Sequence, residues 1–103
     1  MNESVYLIHL QTKLDECNVA DNLKDGLILY LTKGIHPGDF LTACLENNLS
    51  ESLGRASTQH WDYVYNVVFF LYNYAPASAW GSKHAVRQHL ESFEKKEVKD
   101  ADL

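Results

Sequence analysis

The sequence predicts an all-α fold, a compact bundle of about five short helices. Apolar residues return at three- and four-residue steps through most of the chain, which is the spacing of one face of a helix. The stretch Gly34-Ile35-His36-Pro37-Gly38-Asp39-Phe40-Leu41 stops one helix, turns the chain and starts another within eight residues. Gly34 suits the left-handed conformation that closes a helix, and Pro37 fixes φ near the helical value at a first-turn position that needs no amide donor. Serine, asparagine and aspartate stand ahead of several apolar runs, where their side chains can cap a helix.

Residues 4 to 16 place Val5, Ile8 and Leu14 among polar side chains, with Tyr6, Leu7 and Leu10 nearby; this spacing predicts a first helix, although Val5 to Leu10 alone also suits a strand. Asp21 or Asn22 is the expected cap of a second helix running to Lys33, with Leu23, Leu27, Tyr30 and Leu31 on one face and Gly26 as its weak point. The third helix begins at Pro37 and carries Phe40, Leu41, Cys44, Leu45 and Leu49 on one face, with Asp39 favourably placed against the helix dipole. Asn47, Asn48 and Ser50 interrupt it, and Leu53 carries a short extra turn to Gly54.

Ser57 is the expected cap of a fourth helix from Thr58 to Ala75, which Pro76 ends. One of its stripes is Trp61, Val64, Tyr65, Val68, Leu71, Tyr72 and Ala75; a second is Tyr63, Val67, Phe70 and Tyr74. A helix apolar on nearly all sides either lies at the centre of a fold or packs its second face on another subunit, so a homo-oligomer built through the second stripe is expected. Ala75 to Gly81 read as a compact loop, and Ser82 as the cap of a last helix through Leu90 and Phe93.

At 103 residues the chain fits one domain. Its expected limits are 1–92, followed by a charged tail at 93–103 that frays into solvent. The net charge of −5 is concentrated at the ends, since residues 27 to 90 hold four basic and four acidic side chains. That distribution lacks a basic footprint for nucleic acid, so no direct nucleic-acid partner is expected. The acidic excess suits mimicry of DNA, approach to a basic host protein, or plain solubility. Cys17 and Cys44 sit in amphipathic patterns and read as buried thiols in a reducing compartment. The apolar run Val5-Tyr6-Leu7-Ile8 is too short for a signal segment or membrane span and has no basic residue ahead of it, so a cytoplasmic location is expected, with no membrane association.

Candidate chemistry is sparse. The His36-Pro37-Gly38 corner offers backbone amides at a helix start, with Lys33 and Arg55 as nearby charges, a set that suits an anion; the plainer reading gives those amides to Asp39 and water. Arg55 presents a planar fork to carboxylate or phosphate, or else pairs with Glu51 or Asp62 or caps a helix end. Trp61, Trp80 and Tyr63 can stack on a nucleobase or fill the core. Gly38 belongs to no glycine-rich phosphate loop. His9, His36, His60, His84 and His89 form no i, i+4 pair and have no ligand-spaced partners, so no metal and no cofactor are expected. No nucleophile, base and orienting acid are recognisable, which points away from an enzyme.

The chain resembles a group of small helical proteins carried by bacteriophages and prophages. The resemblance rests on Gly34-Ile35-His36-Pro37-Gly38, on Phe40-Leu41-Thr42-Ala43-Cys44-Leu45-Glu46-Asn47-Asn48-Leu49, on Gly54-Arg55-Ala56, and on Pro76 with Trp80-Gly81-Ser82. It covers roughly residues 27 to 90 and departs from the group at His36, Asn48 and His89. It implies a phage context and assigns no activity. Together with the residue reading it sets the functional expectation: a non-catalytic, homo-oligomeric anti-defence protein in the host cytoplasm. The expected action is to sequester a nucleotide-derived immune signal through Lys33, His36, Gly38, Asp39, Arg55, Trp61 and Trp80. The alternatives are a protein–protein inhibitor of a host defence nuclease or complex, and a regulatory adaptor.

Overall fold

The computed structural model describes residues 3–56 and 61–101, with side chains for 4–56 and 61–94. Among these residues the fold is all-helical, with six α-helices and no strand. They are α1 (Glu3–Glu16), α2 (Asp21–Lys33), α3 (Asp39–Leu45), α4 (Leu49–Arg55), α5 (Trp61–Tyr74) and α6 (Lys83–Ala101), with a single 3-10 turn at Ala77–Ala79. The expected count of about five rises by one because the segment after Asn48 is a helix in its own right. Asn47 takes a left-handed φ of 60°, and the Asn48 side chain then accepts the Glu51 amide at 3.1 Å, capping α4.

The first segment is helical from end to end, which removes the strand alternative. Two other ends differ from expectation. Asp21 is the first residue of α2 and not its cap; Ala20 holds that position without a side-chain hydrogen bond, while the Asp21 carboxylate pairs with Lys24 at 2.8 Å. Helix α3 starts at Asp39, not Pro37, because Gly38 stands at its cap with φ 93°, outside the helical region. The stop at Gly34 is as expected: φ is 67°, and the Gly34 amide donates to the Tyr30 carbonyl at 3.1 Å. The expected Ser57 cap and Thr58 lie outside the described residues. Ser82 caps α6, accepting the Ala85 amide at 3.0 Å. The backbone of α6 continues to Ala101.

Helix α3 is the hub. It spans only seven residues, yet Leu41, Ala43, Cys44 and Leu45 are all buried, because it packs against α2, α4, α5 and α6 at once. Gly26 explains itself against this helix: a Cβ there would lie 2.8 Å from Leu41 Cδ1, so the residue that weakens α2 is what lets α3 approach it. Leu10, Leu14, Leu27, Tyr30, Leu45, Val67, Phe70 and Leu71 complete the buried interior. The Gly81 amide ties the loop before α6 to α3 by donating to the Leu45 carbonyl at 2.7 Å. Ser52, buried on α4, is satisfied by donating its hydroxyl to the Asn48 carbonyl at 2.8 Å. No helix among the described residues is long and apolar enough to cross a membrane.

Helix α5 reverses one expectation. The second stripe, assigned above to a subunit interface, is core: Val67 and Phe70 are fully buried and Tyr63 and Tyr74 are half-buried. The first stripe is split. Val64 and Leu71 turn inward, whereas Trp61, Tyr65 and Tyr72 face out, joined by Phe69.

Candidate functional site

The corner between α2 and α3 is closed by its own side chains. The Gly38 amide donates to His36 Nδ1 at 3.3 Å, which leaves the proton on Nε2, and Nε2 faces Thr42 Oγ1 at 3.3 Å. The Thr42 hydroxyl spends its own proton on the Gly38 carbonyl at 2.6 Å. His36 thus holds the start of α3 together, taking the Gly38 amide that the plainer reading left to Asp39 and water. Of the amides at the start of this short helix, that of Gly38 is therefore already taken by the imidazole.

Arg55 lies in the last turn of α4. Its Nη1 meets Asp39 Oδ2 and its Nε meets Glu51 Oε2, each at 3.3 Å. All three groups are substantially exposed, so these pairs hold the guanidinium in place more than they stabilise the fold. The small cleft around it, about 160 Å³, is lined by Asp39, Thr42, Ala43, Glu46, Asn48, Glu51 and Arg55. Three carboxylates against one guanidinium make it a poor place for a phosphate. His36 opens instead onto a neighbouring cleft of about 330 Å³, where Lys83 and Arg87 face Glu46, Glu91 and Glu94. The structure therefore brings Asp39 and Arg55 together, and Gly38 with His36, while Lys33, Trp61 and Trp80 line neither of these clefts. Trp80 is half-buried against the core.

Trp61 belongs to a different surface, which sequence reasoning missed. A groove of about 680 Å³ runs along the outer face of α5, floored by Val64 and Val68 and lined by Leu49, Leu53, Trp61, Tyr65, Phe69, Tyr72 and Asn73. Its walls come from two helices because α4 turns Leu49 and Leu53, one helical turn apart, toward α5. Asn48, Glu51 and Arg55 sit on the other side of α4, toward α3. Among the described residues, no lysine, arginine, aspartate or glutamate lines the groove. An exposed apolar patch of this kind marks an interaction surface in a folded domain.

No protein-family model, curated protein or solved structure matches the chain. What the residues can do is therefore read from geometry. Among the described residues no group of three or more His, Cys, Asp and Glu is placed to hold a metal ion. The two thiols are free and buried; burial pushes both Cys44 and Cys17 above the ordinary thiol range. The signal that could have revealed the groove was present: Trp61, Tyr65, Val68 and Tyr72 follow a strict 4-3-4 spacing, and Leu49 and Leu53 repeat at four. What the spacing lacked was the position of α4.

Proposed function

We propose that this chain is a non-catalytic binding protein whose working surface is the groove between α4 and α5, and that it acts by seating an apolar helical element of another protein there. The groove carries this reading. It is long, aromatic and uncharged, the surface into which an amphipathic helix lays its apolar face. Rigid aromatic side chains are the common anchors of such contacts. In the phage context implied by the motif resemblance, the partner is a host defence protein, inhibited by occupation of its surface.

Sequestration of a nucleotide-derived signal is the second reading. The exposed rings of Trp61, Tyr65 and Tyr72 favour it, since aromatic faces accept bases. The position of Arg55 weighs against it, because the guanidinium and the rings stand on opposite sides of α4, and among the described residues no Lys or Arg lines the groove to meet a phosphate. Isothermal titration separates the two. An uncharged amphipathic helical peptide with leucine at i, i+3, i+4 and i+7 should bind and quench Trp61, while cyclic dinucleotides and ADP-ribose derivatives should give no heat. Binding of a nucleotide with no response to the peptide would reverse the order of the readings.

A further inference from the structure

The residues that α5 turns to the groove have a symmetry that goes beyond a generic docking surface. Trp61, Tyr65, Val68 and Tyr72 are separated by four, three and four residues, so the pattern reads the same in both directions. When two such helices cross antiparallel about a two-fold axis, the pattern maps onto itself: Trp61 meets Tyr72 of the second copy, and Tyr65 meets Val68. A self-complementary patch is what an isologous interface requires. The alternating four- and three-residue spacing is also that of helices packed at a shallow angle.

We propose that the groove of the free protein is closed by a second copy of this chain, α5 against α5 in antiparallel register, and that a protein partner gains access by exchange with that copy. This rests on reading the groove as a protein-docking surface. Charge supports the choice of occupant. The chain carries −5 overall, which opposes self-association elsewhere, but α5 has a single charged residue, Asp62, and the antiparallel register sets the two copies of it at opposite ends of the contact. A strongly basic or acidic partner would find no opposite charge among the described residues of the groove.

Area supports it as well. Trp61, Tyr65, Phe69 and Tyr72 are 63%, 68%, 43% and 79% exposed. With about 200 Å² for each full side chain, these rings offer roughly 500 Å² per copy. With that area covered, two copies bury about 1,000 Å² before Leu49 and Leu53 are included, the lower limit for a specific interface.

The test is analytical ultracentrifugation of the full chain, followed by cross-linking. The wild type should sediment at twice 11.8 kDa. Tyr72→Glu should weaken self-association by at least about 30-fold, as expected for loss of an anchoring aromatic. Tyr65→Glu with Tyr72→Glu should be monomeric with an unchanged helical spectrum. Because Cys17 and Cys44 are buried, Trp61→Cys and Tyr72→Cys variants mixed and oxidised should give the mixed disulfide, while either alone gives little. A dimer that survives the double charge substitution, or disulfides that form equally within each variant alone, would overturn the proposal. A wild-type monomer that still binds the amphipathic peptide overturns self-association and leaves the docking surface standing. A monomer that ignores the peptide removes both.

Discussion

His89 and Tyr30 meet through both ring and backbone. His89 Nε2 lies 2.7 Å from the Tyr30 carbonyl, and the two rings pack with centroids 4.4 Å apart. The Tyr30 hydroxyl donates in turn to the Ala79 carbonyl at 2.7 Å, deep in the core. One tyrosine thereby joins α2 to α6 and to the 3-10 turn, which are themselves packed together. Tyr30→Phe leaves the buried Ala79 carbonyl without this donor, and should lower unfolding stability by about 1–3 kcal/mol with the helical spectrum unchanged. Urea denaturation followed by circular dichroism measures it.

The same residue makes stability sensitive to base. Burial, with the Glu46 carboxylate adding to it, holds the Tyr30 phenol well above its ordinary value. Below about pH 10 the phenol keeps its proton in both folded and unfolded chains, so it adds no pH dependence. Above that the unfolded chain ionises first and stability falls as pH rises. Tyr6, raised by burial on α1, acts in the same direction. Denaturation midpoints at pH 8 and pH 11 should differ less for Tyr30→Phe than for the wild type.

Gly34 is closed on two sides. Its φ of 67° strains any L side chain, and a Cβ there would collide with the Phe93 side chain. Gly34→Ala should cost at least about 1–2 kcal/mol from the backbone alone. Gly54 makes the control, being helical with open space around it, so Gly54→Ala should be stabilising by about 0.5–1 kcal/mol. Thermal melts of the two variants should move in opposite directions.

Arg55 should matter little to folding. Its partners Asp39 and Glu51 are exposed, and Arg55→Ala should change stability by less than about 1 kcal/mol. The peptide affinity of the groove should not change, because Arg55 does not line it. A large loss of peptide binding in Arg55→Ala would show that the cleft and the groove act as one site.

Cys44 should be silent toward thiol reagents in the folded protein. It is 1% exposed, and burial raises its thiol above the usual range against a smaller opposing effect of the Ser52 hydrogen bond. Iodoacetamide should label it only once denaturant unfolds the chain, as mass spectrometry of quenched samples would report.

Much of the fold was legible because it depends on local stereochemistry. The stop at Gly34, the cap at Ser82 and the helical course of α1, α2 and α5 follow from dihedral preferences and spacing within a few residues. The misses were also local but ambiguous. Asp21 is as good at the first helical position as at the cap, and Asn48 breaks one helix by capping the next. The candidate site was legible only in its ingredients. Arg55 and Trp61 were recognised as chemistry-bearing, yet they fall on opposite sides of α4, and Phe69 entered neither stripe of α5.

By itself the sequence determined the all-helical class, the stop at Gly34 and the cap at Ser82, and that α5 has more apolar surface than a solvent-facing helix needs. Those properties are set by sterics, hydrogen bonds and side-chain spacing along the chain. Only the tertiary structure decided which face of α5 turns inward, because both stripes are apolar and the choice belongs to the elements that compete to cover them. Val67, Phe70 and Leu71 pack in the core with α1 and α3, and Trp61, Tyr65 and Tyr72 are left beside α4. Burial is a contest among all segments at once, and no spacing within one helix records its outcome.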